Sequence, residues 1–352
     1  MAPTLPPDVA RLLAEGCVIP AHPLALNERR QLDERRQRAL TRYYIAAGAG
    51  GVAVGVHTTQ FAIRSAGLFE PVLELARETI DQEVGDRPFL RIAGAIGDVR
   101  QAVREAEIAA ELGYHAVLLG PTTSAVDEQE LLLRAKAVGE VLPVMGFYLQ
   151  EAVGGRYLSR NFWRALADLP CVVAAKIAPF DRYRTLEAVQ GIAEADRGDE
   201  VALYTGNDDT IITDLLTPVM VDVGGGRVVR RRIVGGLLGQ WAVWTRQAVR
   251  LLERARRAWA GDDAELRALL ELSPSLTAAN AAVFDAANNF AGCIAGVHEV
   301  LRRQGLLAGT WCLDPHETLS PGQAEEIARV CAAYPELTDD DFVAEHRDEW
   351  LR

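Results

Sequence analysis

LPVMGFYLQEAVGGRYLSRNFWRALADLPCVVAAKIA (142–178) reads as strand, helix, strand. The two ends, LPVMGFYL (142–149) and CVVAAKIA (171–178), are short apolar runs with no polar alternation, the pattern of strands covered on both faces. SRNFWRALADL (159–169) between them has helical spacing and stops before Pro170. Strands of this kind joined through a helix predict a parallel sheet wrapped by helices.

The unit recurs in both directions along the chain. CVIPAH (17–22), GVAVGV (51–56), FLRIAGAIG (89–97), HAVLLG (115–120), VALYTG (201–206) and RIVGGLL (232–238) complete a set of eight strands. Amphipathic stretches such as DERRQRALTRYYIAAG (33–48), VREAEIAAELG (103–113) and DEQELLLRAKAVGEV (127–141) alternate with them. Eight strand–helix units predict an α/β fold of the (β/α)8 TIM barrel class. GAGGVA (48–53) fits a dinucleotide-binding pattern by letter. It precedes a strand, whereas a phosphate loop follows a strand and opens a helix, so an open nucleotide-binding sheet is the weaker reading.

VMVDVGGGRVVRRR (219–232) reads as an inserted hairpin around a triple-glycine turn, and Arg230, Arg231 and Arg232 are first of all a solvated face. From about residue 249 the pattern is helical only, through RQAVRLLERARRAWAG (246–261) and NNFAGCIAGVHEVLRRQGLL (288–307). The expected division is a barrel over 1–248 and a C-terminal all-helical subdomain over 249–352, with Trp241, Trp244 and Trp259 near the junction.

With 352 residues, 49% of them hydrophobic and 24% charged, the chain can build a sizeable core, which excludes collagen-like and disordered classes. Acidic residues outnumber basic ones by 49 to 37, and a net charge of −12 disfavours nucleic-acid and anionic-membrane partners. Five cysteines without metal-like spacing, no basic-then-apolar start and no bilayer-length apolar run predict a cytoplasmic protein without a metal.

The basic residues are 35 arginines and only two lysines, Lys136 and Lys176. A background that uses arginine wherever charge suffices makes a retained lysine informative. Lys136 falls on an amphipathic helix and reads as solvated. Lys176 falls inside VVAAKIAP (172–179), where burial lowers an ammonium's pKa and leaves a neutral nucleophilic amine. Such an amine condenses with a ketone to a Schiff base. The rival reading is a lysine paired with a core carboxylate or snorkelling outward. Tyr148, 28 residues earlier, is placed on the neighbouring strand as a proton shuttle, against ordinary packing. GVHTTQF (55–61) brings His57, Thr58 and Thr59 to the rim after the second strand, and TGNDD (205–209) brings Gly206 and Asn207 after the seventh.

With these residues in place the chain resembles the dihydrodipicolinate synthase/N-acetylneuraminate lyase family of class I aldolases. IPAHPLALNERRQLDERRQRALTRYYIAAGAGGVAVG (19–55) looks like its opening, VVAAKIAP like its lysine strand, TGNDD like its glycine loop after strand seven, and the Tyr148–Lys176 spacing like its own. The resemblance implies a (β/α)8 barrel with a helical C-terminal domain, an imine at Lys176 with pyruvate or a related 2-oxo acid, no cofactor, and a homo-oligomer. It also implies substrate contacts at His57, Thr58, Thr59, Thr123, Gly206 and Asn207. The departures are local. GVHTTQF replaces a GTTGE carboxylate loop, Thr122 and Thr123 replace paired tyrosines, and Val153 stands where synthases place an arginine, with Arg156 nearby. They set aside dihydrodipicolinate synthesis itself and leave the amine chemistry. The expected activity is a Schiff-base lyase performing aldol cleavage or condensation. The alternatives are a dehydratase or hydratase using the same imine, a noncatalytic barrel binding a small acid, and an interaction scaffold on the helical region.

Overall fold

The computed structural model describes residues 3–122 and 127–352. In chain order the elements begin α1 (Pro7–Glu15), β1 (Val18–Pro20), α2 (Glu34–Ala47), β2 (Gly51–Val54), α3 (Phe69–Glu83), β3 (Leu90–Ala95), α4 (Val99–Glu111), β4 (Ala116–Leu119), α5 (Glu128–Gly139) and β5 (Val144–Leu149). They continue with α6 (Arg160–Ala167), β6 (Val172–Ala178), α7 (Arg182–Ala193), β7 (Ala202–Thr205), α8 (Ile211–Leu216), β8 (Val219–Asp222), β9 (Val228–Arg231) and β10 (Ile233–Leu238). The last are α9 (Thr245–Trp259), α10 (Asp263–Val283), α11 (Cys293–Arg303), α12 (Gln323–Ala333) and α13 (Asp340–Trp350). β1 to β7 and β10 belong to one eight-stranded sheet. The fold is a (β/α)8 TIM barrel with a helical C-terminal region.

Local chemistry explains where the helices start. Asp33, Asp98, Asp127, Ser159 and Asp181 each accept a backbone N–H of the first turn of α2, α4, α5, α6 and α7, satisfying a donor that the helix itself leaves open. Strand β6 is buried at six of its seven positions, as its unbroken apolar run requires.

Contacts group the chain into two compact units, Met1–Cys17 with Pro88–Leu237, and Val18–Arg87 with Leu238–Arg352. In the first, β3, β4, β5, β6, β7 and β10 pair in parallel in that order. Helix α1 ends there on Gly16, at φ 89°, and a Cβ on it would fall 1.9 Å from the carbonyl oxygen of Val234, so no other residue fits. In the second, the Tyr43 hydroxyl donates to Asp339 at 2.7 Å and accepts from the Thr245 N–H at 2.7 Å, joining the early helix α2 to the chain's last third.

β8 and β9 form a separate antiparallel ribbon closed through Gly224, Gly225 and Gly226, all at positive φ. Of the three arginines at its end, Arg231 is buried and binds the carbonyls of Gly198 and Val201 and the carboxylate of Asp199. Arg232 reaches the carbonyls of Leu215 and Leu216. These two anchor the ribbon. Among the described residues no helix is long and apolar enough to cross a membrane.

Candidate active site

Lysine 176 stands five residues into β6, and its neighbours are fixed by strand register. The pairing of β5 with β6 starts with Val144 opposite Val172, then slips so that Met145 faces Ala174. That one-residue irregularity puts Phe147, not Tyr148, beside Lys176. On the other side Lys176 pairs with Tyr204 of β7. The Lys176 Nζ lies 4.4 Å from the centroid of the Phe147 ring, a cation–π contact.

Tyr148 is turned to the opposite face of the strand. Its ring stacks on Trp163 of α6 at 5.5 Å, and its hydroxyl accepts the Leu158 N–H at 3.3 Å. Gly146, two residues earlier and on the same face, also looks at Trp163 and Leu166. Burial pushes the Tyr148 phenol up. The sequence spacing of 28 residues would bring Tyr148 to Lys176, and the slip between β5 and β6 corrects it: the phenol faces the helices.

The lysine is 7% exposed. Burial lowers its ammonium from 10.5 to about 8, with Asp208 opposing the shift. Space for its stem comes from Gly206, where a Cβ would lie 2.5 Å from Lys176 Cε and 2.7 Å from Ala178 Cβ. The Gly206 N–H is bound to the carbonyl of Ile177. Asp208 is thus the electrostatic partner and Gly206 the packing partner. Asp208 was legible as an acid in TGNDD, and Phe147 carried no signal apart from its register.

Asn207 is fully engaged with protein. Its side-chain N–H groups donate to Thr185 and Asp214, its carbonyl accepts the Phe180 N–H, and its own N–H donates to Thr205. Asp214, wholly buried, also takes Thr205 and Arg182. This network pins the loops after β6 and β7, so Asn207 positions the backbone around Lys176 instead of offering its amide to a ligand.

In the other unit, Thr58 donates to the carbonyl of Ala21 at 2.7 Å and Thr59 to that of His22 at 2.6 Å. Thr59 also accepts the Gly55 and Val56 N–H groups. Their hydroxyls brace the turn after β2. His57 packs edge-on to Phe61. His22 is kept neutral, burial pushing it down to about 4. Thr123 lies outside the described residues. Among the described residues no three His, Cys, Asp or Glu side chains are grouped to hold a metal ion.

No protein-family model matches the chain, and no curated protein matches its sequence. Solved structures do. The N-acetylneuraminate lyase of Fusobacterium nucleatum superposes with a TM-score of 0.70 at 16% identity, over 91% of this chain and 99% of that one. A dihydrodipicolinate synthase of Bacillus anthracis gives 0.72 at 19% identity, over 90% and 98%. The fold is that of dihydrodipicolinate synthase and N-acetylneuraminate lyase. A prophage protein of the dihydrodipicolinic acid synthase family from E. coli K12, solved in complex with pyruvate, gives 0.71 at 19% identity, over 91% and 97%. Nearly the whole of each of these chains is spanned, so the dihydrodipicolinate synthase fold accounts for both the barrel and the helices that follow it.

Proposed function

We propose that the protein is a Schiff-base-forming lyase acting on pyruvate or a related 2-oxo acid, with Lys176 as nucleophile. The observation that carries this reading is a buried amine held at about 8, in a space that Gly206 leaves for it. At pH 7 about a tenth of such an amine is neutral, against well under a thousandth at the ordinary lysine value. The neutral amine adds to the ketone carbon, and the carbinolamine loses water to give an iminium ion. With a 4-hydroxy-2-oxo acid bound, the hydroxyl loses its proton to a base, the bond between the carbons α and β to the iminium carbon breaks, and its electron pair passes into the iminium, giving the enamine of pyruvate and an aldehyde. Protonation of the enamine carbon and hydrolysis return the lysine. Asp208 favours the positive iminium as it favours the ammonium.

Borohydride trapping with pyruvate and a panel of 2-oxo acids, followed by peptide mapping, tests the proposal. An irreversible adduct on Lys176 and none on Lys136 is expected, and Lys176→Arg should abolish it in a protein of unchanged circular dichroism. No adduct with any acid of the panel would overturn the imine. A second reading, a barrel that binds a small acid without turning it over, is favoured by Phe147 standing where a proton-transferring group is expected. That reading predicts thermal stabilisation by the acid with no adduct.

A further inference from the structure

Helix α5 carries an arginine inward and a leucine outward. Leu131, Arg134, Ala135 and Val138 form its buried stripe, and Arg134 is 4% exposed while Leu133 is 64% exposed. The Arg134 guanidinium donates a hydrogen bond to the carbonyl of Gly120 at 2.9 Å, and its Nε has no partner. Glu105 and Asp98 act on it through space, and burial pushes it down to about 10, which leaves it a cation at neutral pH.

A cavity of about 740 Å³ opens against this group, within the range that holds a small organic molecule. Its walls are chiefly apolar, with Leu119, Leu149, Phe162 and Leu166 among them. Asp127, also on the wall, is exposed and spent in capping α5. A buried guanidinium whose Nε–H has no partner, beside apolar walls, is costly unless an acceptor meets it. Arg156, the other cation on the wall, is exposed, so Arg134 is the one buried cation among the described wall residues. That suits a monoanion with an apolar body better than a phosphate, which calls for more buried donors.

We propose that this cavity binds a small carboxylic acid with an apolar body, its carboxylate on Arg134 and its chain or ring among the leucines. Lys176 does not line the cavity, but Phe147 does, and the lysine Nζ rests on that same ring. The acid therefore sits beside the imine site with one aromatic side chain as the shared wall. The assignment does not rest on the imine.

Isothermal titration of the full chain with 3-phenylpropanoate and octanoate, and with 3-phenylpropan-1-ol as the neutral control, tests it. Saturable binding of at least one acid is expected, with the alcohol at least tenfold weaker. Arg134→Met keeps the stem and removes the cation, and should weaken the acid at least tenfold. Leu149→Phe narrows the cavity with Arg134 in place and should do the same. Lys176→Arg should bind the acid within twofold of the parent chain. No binding of either acid, equal binding of acid and alcohol, undiminished binding in both cavity variants, or loss of binding in Lys176→Arg would overturn the proposal. Failure of pyruvate trapping with acid binding intact would count against the imine alone.

Discussion

At the scale of the residue, the proposed chemistry depends on the ionisation of one amine. In the proposed reaction only the unprotonated Lys176 attacks the ketone, so the rate of reductive trapping with pyruvate should rise with pH and level off above about 8. Asp208 raises that value, so Asp208→Asn should move the midpoint of the pH–rate curve to lower pH. A midpoint that moved upward would show that the carboxylate does not act on the amine. Gly206→Ala puts a methyl 2.5 Å from Lys176 Cε and should slow trapping at least tenfold in a protein that still melts cooperatively. The lysine was legible because two lysines among 35 arginines is a compositional anomaly. Its neighbours were not, because a spacing counted along the chain ignores the irregularity between Val144 and Met145 that exchanges Tyr148 for Phe147. Thr58, Thr59 and Asn207 were legible as polar residues at strand ends, but their backbone and side-chain partners are set only by the folded turns.

At the scale of the element, the strands were legible to within two residues at each end, because an apolar run ends softly while a hydrogen-bond ladder ends at a residue. CVIPAH (17–22) shortens to Val18–Pro20, and GVAVGV (51–56) to Gly51–Val54. The packing of β5 on α6 gives a direct test of the face assignment. Tyr148→Phe removes the acceptor of the Leu158 N–H and should cost about 1 kcal/mol in denaturant unfolding. Trapping of pyruvate on Lys176 should stay within twofold of the parent chain. A tenfold loss would place the phenol in the reaction after all. The inward arginine of α5 was present in LLLRAKAVG, but periodicity alone does not say which side of a helix with leucines at 131, 132 and 133 turns to the core.

At the scale of the whole molecule, the eight-unit alternation was legible from composition and spacing, whereas long-range polar ties were not. Asp339 meets Tyr43 across 296 residues of sequence, and it also accepts from the Arg246 N–H and from Gln304. Asp339→Ala leaves these buried donors without an acceptor and should cost about 3 kcal/mol, read as a lowered melting temperature. Asp339→Asn keeps an acceptor and should cost less. The β8–β9 ribbon is of a different character. A Cβ at Gly224, Gly225 or Gly226 meets nothing within 4 Å, so the turn carries no packing that a change of length would disturb. Arg231, at the far end of the ribbon, supplies the anchorage instead. A peptide tag or fluorophore spliced into that turn would hang outside the scaffold like a flag on a pole, giving an optical handle on binding in single molecules without borrowing any residue the chemistry uses.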